Sequence, residues 1–277
     1  MKKGVENFSF PLNDKYVAML APSFVVDFSY PNIISNLRSL GFDKVVELTF
    51  GAKMVNRSYH DILKNSEKLF ISSVCPGIVE SVKKTFPQYI DNLVLVDSPM
   101  IATAKICKKI YPKHKIIFIS PCYFKKTEAE KSGIIEGVID YKELKEIFRK
   151  YKINKKGISH FDKFYNDYTK IYPLSGGLSK TAHLKGILKK EETKIIDGIQ
   201  EVFNFLKNPD KKIKFLDVTF CKGGCIGGPC INSKLPIFLK KIKVISYLKK
   251  SKKEDIPEIK KGLIKKAKGI FFNRKNF

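Results

Sequence analysis

From about residue 16 to residue 219 the chain alternates short apolar runs with amphipathic stretches, and this alternation limits its fold more than any other feature. Strand-like runs fall at 16–21, 44–48, 68–72, 93–96, 115–120, 137–140 and 214–219. Helical periodicity occupies 31–40, 52–65, 78–86, 99–110, 142–151 and 194–206. Strands separated by helices have room to lie parallel, with the helices covering the sheet, so the pattern predicts an α/β fold built on parallel sheet. The runs divide into two lobes, about 16–133 and 134–232. The polar and aromatic stretch 151–167 has neither period and is expected to pack irregularly between them. Beyond them, 233–277 reads as a lysine-rich helical tail with helices at 235–250 and 256–272. Its apolar positions Ile237, Leu239, Ile242, Val244, Ile245 and Leu248 are placed to dock on the body.

Bulk properties remove several function classes. No apolar run in the 277 residues approaches the roughly 20 needed to span a bilayer. The start, Met-Lys-Lys-Gly-Val-Glu-Asn-Phe, has no apolar stretch after its lysines, so a signal peptide is not expected. A cytoplasmic setting, in which thiols stay reduced, is the expectation that follows. The net charge of +26 suggests nucleic acid, but almost all of it is lysine; the arginines are Arg38, Arg57, Arg149 and Arg274. Bidentate recognition of phosphate and bases favours arginine, and lysine is spread along the whole chain, so nucleic-acid binding is disfavoured. A diffuse lysine surface would instead steer acidic partners such as a small electron carrier of the ferredoxin kind or a redox signalling partner.

The six cysteines carry the chemistry. Cys75, Cys122, Cys221 and Cys225 lie in Ser-Ser-Val-Cys-Pro-Gly at 72–77, Ser-Pro-Cys-Tyr-Phe-Lys-Lys-Thr-Glu at 120–128 and Cys-Lys-Gly-Gly-Cys-Ile-Gly-Gly-Pro-Cys at 221–230. Thiolates are the preferred ligands of iron–sulfur clusters, and four make a full set for a 4Fe–4S cubane. Cys75 and Cys122 each follow a strand, at the carboxyl edge where ligands of parallel sheets collect. Pro76 suits the first position of a helix, whose free N–H groups would stabilise a thiolate at Cys75. Lys125 shares a helical face with Cys122 and could reach an anionic ligand of a metal there, or pair with Glu128 in a plain ion pair. A zinc site is the second metal reading, weakened because the Cys221 and Cys225 pair is the only close one. Six buried structural thiols would leave the glycines and prolines unexplained. Cys107, inside a helical run, reads as a small buried apolar residue. Cys230 reads as a structural thiol or as one that approaches the cluster region. The four histidines occur singly, which gives little support to a histidine metal site.

The three segments resemble the three signature loops of the catalytic domain of iron-only (FeFe) hydrogenases: Thr-Ser-Cys-Cys-Pro, Pro-Cys-x-x-Lys-x-x-Glu, and Cys-x-x-x-Cys followed by glycines. Ala21-Pro22-Ser23, Gly41-Phe42-Asp43-Lys44-Val45, Ser98-Pro99 and Ser175-Gly176-Gly177 resemble further family segments, in order, so the likeness runs from about 16 to 232. The resemblance implies a two-lobe hydrogenase-like domain over 1–232. It implies that Cys75, Cys122, Cys221 and Cys225 ligate a 4Fe–4S cluster, with Cys225 also bridging to a two-iron subcluster. Lys125 would then hydrogen-bond a cyanide of that subcluster, and the backbone near Pro22 and Ser23 would cover the second cyanide.

The chain departs from the family around the two-iron pocket. Val74 stands where active hydrogenases carry a proton-passing cysteine, and Met100 where they carry glutamine. Ser120 and Thr219 replace methionines, Asp217 replaces a glutamate, and the third loop is shortened to Gly227-Gly228-Pro229-Cys230. Turnover needs a proton carrier within reach of the reacting metal, and valine supplies none. The expected function is therefore an iron–sulfur redox protein or a sensor of hydrogen or redox state. The alternatives are a low-activity hydrogenase with a complete two-iron site, and a non-catalytic scaffold or assembly protein.

Overall fold

In the computed structural model, residues 8–64 and 67–277 are described, apart from the side chain of Lys185. The lysine-containing start of the chain and the last residue of the expected 52–65 helix lie outside the described residues.

Every residue of β1 (Tyr16–Leu20) is buried, the mark of a strand covered on both faces. It runs parallel to β2 (Lys44–Glu47) on one side and β4 (Lys115–Ser120) on the other, with β5 (Gly137–Asp140) beyond β4. Because strand side chains alternate, Val17 and Met19 enter one core with Ile116, Phe118 and Val138. Ala18 and Leu20 enter a second core with Ile117, Ile119 and Ile139. A second parallel sheet orders β3 (Phe70–Ile71), β7 (Phe215–Thr219) and β6 (Thr193–Asp197) as β3-β7-β6. Each expected lobe contributes to both sheets, since β3 joins β7 while β5 joins β4.

The helices follow their strands: α1 (Asn32–Ser39), α2 (Thr49–Leu63), α3 (Pro76–Thr85), α4 (Pro99–Ile110), α5 (Phe124–Ser132), α6 (Tyr141–Lys150), α7 (Gly177–Thr181), α8 (Ile199–Lys207) and α9 (Ile237–Ser251). Their starts are written in the sequence. Asp140 and Glu143 form a reciprocal capping box on α6, and Pro76 and Pro99 occupy first-turn positions of α3 and α4.

Three expectations change. Residues 93–96 form no strand; Leu93 and Val96 each make a single bridge, to Ile71 and Asn273. The stretch 194–206 opens with strand β6, because Gly198, at φ +90°, separates it from α8. β6 is a half-exposed edge strand, so apolar residues do not mark it continuously. The helix expected over 256–272 is replaced by short 3-10 turns at Glu258–Lys260 and Ile264–Ala267. Pro257, Gly262 and Gly269 interrupt that stretch, and Gly262 lies where a Cβ would come within 2.7 Å of the Phe50 ring.

Helix α9 docks through a polar junction that no local pattern announces. Lys170 donates to Glu47 Oε2 at 2.6 Å and to Tyr247 Oη at 2.9 Å. The Tyr247 hydroxyl donates to Glu47 Oε1 at 2.8 Å, and Thr49 Oγ1 donates to Glu47 Oε2 at 3.2 Å. Both charged side chains are 1% exposed. Such a buried pair persists only when its remaining hydrogen-bonding capacity is also met, as it is here.

Candidate metal centre

The sequence positions each cysteine by a strand end or a helix start. Cys75 is the N-cap of α3, Cys122 follows β4 and lies two residues before α5, and Cys221 and Cys225 follow β7. β4 and β7 belong to different sheets, so the centre forms where the carboxyl edges of the two sheets meet. A cavity of about 110 Å³ opens there. Cys75, Cys122 and Cys225 line it. Cys221 is not in its wall but lies within electrostatic reach of Cys75 and Cys122. Pro22, Ser23, Lys125, Val74, Met100, Ser120, Asp217 and Thr219 also face the cavity, whereas Gly227, Gly228, Pro229 and Cys230 do not line it.

Glycines let the third loop close on the others. Gly223 and Gly224 take φ of +82° and +76°, and a Cβ on Gly224 would sit 2.6 Å from the Pro173 carbonyl oxygen. A Cβ on Gly228 would stand 3.1 Å from the Pro121 carbonyl oxygen and 3.7 Å from Cys221 Sγ. Gly77 is held between the rings of Phe124 and Phe220.

Burial disfavours the thiolate forms of Cys122, Cys221 and Cys225. Burial pushes Cys122 up to about 11 and Cys221 up to about 12, with the neighbouring Cys75 sulfur adding to both shifts. Cys225 is exposed by area, but that area faces the cavity, and the protein packed around it still raises its thiol by desolvation. The backbone N–H groups of Phe124 and Lys125 act the other way, donating to the Cys122 sulfur as amides commonly do to cluster ligands.

A four-thiol set of this kind suits a cubane in its donor chemistry. Among the described residues no three His, Cys, Asp or Glu side chains converge closely enough for a single metal ion. The hydroxyl of Tyr172, a residue of the cavity wall, is buried with no hydrogen-bond partner among the described residues, so the wall is not polar-complete by itself.

Lys125 is paired and still available. Its ammonium donates to Glu128 Oε2 at 2.6 Å and to the Val74 carbonyl oxygen at 3.4 Å, leaving one of three N–H donors for the cavity. Glu128 in turn accepts from Arg274 at 2.6 Å through its other oxygen. Burial opposes charge on Glu128, but the Lys125 and Arg274 cations together outweigh it and hold the carboxyl below its ordinary value. Arg274 is a participant that the sequence reading missed. It arrives by backbone bonds from Asp97 N–H to Phe272 O at 2.7 Å and from its own N–H to Leu95 O at 3.0 Å. Asp217 accepts from the N–H and Oγ of Ser179, and burial raises its carboxyl despite them. Ser23 shares a 2.8 Å hydrogen bond with the Tyr141 hydroxyl, which also donates to Ala21 O, fixing the turn that bounds the cavity.

Of the remaining thiols, Cys107 is wholly buried in α4, where burial raises it. Cys230 is buried outside the cavity wall, accepts the Tyr123 N–H, and lies within electrostatic reach of Cys122. Among the described residues, no helix is long and apolar enough to cross a membrane.

With this geometry in place, comparison with known proteins is informative. The family described as the iron only hydrogenase large subunit, C-terminal domain, matches residues 14–229. Iron hydrogenase 1 of Clostridium pasteurianum is 28% identical over 263 residues, covering 73% of this chain and 46% of that protein. The cytosolic Fe-S cluster assembly factor NAR1 of Encephalitozoon cuniculi is 22% identical over 223 residues, covering 70% of this chain and 61% of that protein. The chain thus spans less than two thirds of the length of these relatives. An FeFe hydrogenase solved in a study of stepwise H-cluster assembly superimposes with a TM-score of 0.68 at 14% identity, covering 94% of this chain and 90% of that one. A Chlamydomonas reinhardtii FeFe hydrogenase variant gives 0.67 at 15% with the same coverage. At these identities the structural likeness establishes the fold.

Proposed function

The chain belongs to the family formed by the C-terminal domain of the iron-only hydrogenase large subunit, and from that premise we propose that it is an iron–sulfur redox protein, or a sensor of hydrogen or redox state, holding one 4Fe–4S cluster on Cys75, Cys122, Cys221 and Cys225. The observation that carries the reading is the gathering of three separate cysteine loops at one edge, around a cavity whose Val74 wall has no group able to carry a proton. When bound, the cubane supplies a one-electron store whose potential depends on charge, hydrogen bonds to sulfur and solvent access. The chain's own part is to hold four thiolates apart in a dry cradle and to aim the Phe124 and Lys125 amides at the Cys122 sulfur. Lys125 places a fixed cation at the cavity and offers its unused N–H to an anionic ligand there, the role a cyanide of a two-iron subcluster would take up.

A second reading, a scaffold in iron–sulfur assembly, is favoured by the assembly-factor relatives, whose names also place them in the cytosol. The lysine-rich surface fits an acidic electron carrier as partner in the first reading and an acidic client protein in the second.

The deciding measurement is iron and sulfide content with EPR and infrared spectra, on protein purified without oxygen from a host carrying the hydrogenase maturation machinery. About four irons per chain, a cubane EPR signal and no carbonyl or cyanide bands are expected. Carbonyl and cyanide bands together with hydrogen-dependent dye reduction would replace the proposal with a hydrogenase. A stable fold with no iron retained, and no loss of partner binding in Cys75→Ala, would replace it with the scaffold.

A further inference from the structure

Further along α2 from the cysteine cavity, a cleft of about 480 Å³ opens between that helix and the 166–183 segment. The two spaces share walls: Ala52 and Leu178 face the cysteines, while Lys53 and Thr181 face the cleft. A cationic cleft would be unremarkable in a chain with 53 lysines and arginines, but this one is not lined by the lysine background. It takes one of only four arginines, Arg57, and two of only four histidines, His60 and His183. Arg38, Arg149 and Arg274 are each bonded to a carboxylate, at Asp162, Glu146 and Glu128. Arg57 has no carboxylate partner among the described residues, although Asp61 lies one helical turn away. Lys53 makes one 3.4 Å bond to the Gly262 carbonyl oxygen.

The wall behind these groups is built rather than incidental. Asn56 is 5% exposed and donates to Thr181 Oγ1 at 2.8 Å, and its own Oδ1 is buried without a partner among the described residues. His183 takes a left-handed backbone, φ +53°, and its ring stacks on Tyr168 at 4.7 Å with 6° between planes. A non-glycine residue in that conformation is uncommon, and here it accompanies an imidazole stacked on a phenol at the cleft.

We propose that this cleft binds a small molecule through a phosphate group. An unpaired guanidinium fork matches phosphate oxygens in pairs, an ammonium adds a second cation, and two imidazoles add donors around them. Lys53 and Arg57 outnumber Asp61, the one carboxylate in the lining, so the balance favours an anion. The volume falls within the roughly 300–1,000 Å³ common for small-molecule sites. The site stands whether or not the cysteines hold a cluster.

Calorimetric titration of the full chain with adenosine monophosphate, inorganic phosphate and adenosine, at low salt, tests it. Saturable binding of one adenosine monophosphate and of phosphate per chain is expected, with none of adenosine. Arg57→Gln should weaken both at least about tenfold, while Arg149→Gln, at an ion-paired surface arginine, leaves them unchanged. Arg57→Lys should fall between, since it keeps charge and loses the fork. Because Arg57 is exposed, its substitutions leave the fold intact, which thermal melts would verify. Equal affinities in wild type, Arg57→Gln and Arg149→Gln, or binding of adenosine as tight as that of its monophosphate, would overturn the proposal.

Discussion

Two lysine–glutamate pairs in this protein have the same 2.6 Å length and opposite character. Lys170 and Glu47 meet at 1% exposure, and each is further engaged: the ammonium by Tyr247 and the carboxylate by Tyr247 and Thr49. The Lys170 ammonium also lies 4.2 Å from the centre of the Tyr247 ring and 6.0 Å from that of Phe161, so buried aromatic rings enclose it. Lys125 and Glu128 meet at the rim of the cysteine cavity, with the carboxylate saturated by Arg274 while the ammonium keeps a donor unused. One pair is closed on itself and serves the fold; the other is closed at the acid and open at the base, and serves whatever occupies the cavity. The bond length does not distinguish them. What surrounds the ammonium does: aromatic rings beside Lys170, a cavity beside Lys125.

The sharpest way to break this contrast is to neutralise the two glutamates. Glu47→Gln leaves a buried ammonium without its counter-charge, and a loss of about 3–5 kcal/mol of folding stability is expected, read by chemical denaturation. Iron content per folded chain should stay as in wild type. Glu128→Gln is expected to cost less, about 1.5–3 kcal/mol, because Lys125 and Arg274 are partly solvated. It should, however, shift the EPR signature or reduction potential of the bound cluster, which Glu47→Gln should not. If both variants move the cluster equally, the division between fold and site fails.

The acid limb sharpens the same difference. The folded Glu128 carboxyl is held below its unfolded value, so its contribution is full above the ordinary carboxylate range and is lost as pH falls through its lowered pKa. The stability gap between wild type and Glu128→Gln should accordingly be constant near neutrality and close below roughly pH 4. A gap that widens on acidification would mean that the carboxyl is not held ionised by its neighbours.

The two regions were unequally legible in the sequence. Around the cysteines, strand ends, Pro76 at a helix start and glycines beside Cys225 all act within a few residues, while Pro22 and Ser23, which line the same cavity as Lys125, were pointed to only by the family resemblance. The Glu47–Lys170–Tyr247 junction joins residues 77 to 200 positions apart, and a lysine among 53 cationic residues carries no mark of burial. Arg274 was hidden for the same reason, 146 positions from Glu128. β6 was missed because an edge strand with outward lysine and isoleucine lacks the covered pattern that gave away β1. Separation in sequence and exposure at an edge, not weak chemistry, set the limit.

The smallest expected effect asks whether the closed junction is a pair or a network. Tyr247→Phe removes the hydroxyl that bridges Lys170 and Glu47 but keeps the ring against the Lys170 ammonium and the edge-on contact with Phe24 at 5.2 Å. Glu47 would retain Lys170 and Thr49, and Lys170 would retain Glu47, so neither charge is orphaned. The loss should be that of a modest hydrogen-bond contribution, about 0.5–1.5 kcal/mol, with α9 still docked. A double-mutant cycle with Glu47→Gln then measures the coupling. If Tyr247→Phe alone costs as much as Glu47→Gln, the three groups act as one cooperative unit, because in a low-dielectric interior a bridging hydroxyl polarises both of the bonds it completes. The Lys125 pair has no such bridging member: both Glu128 oxygens are taken, by Lys125 and Arg274, and a ligand in the cavity would engage the ammonium alone.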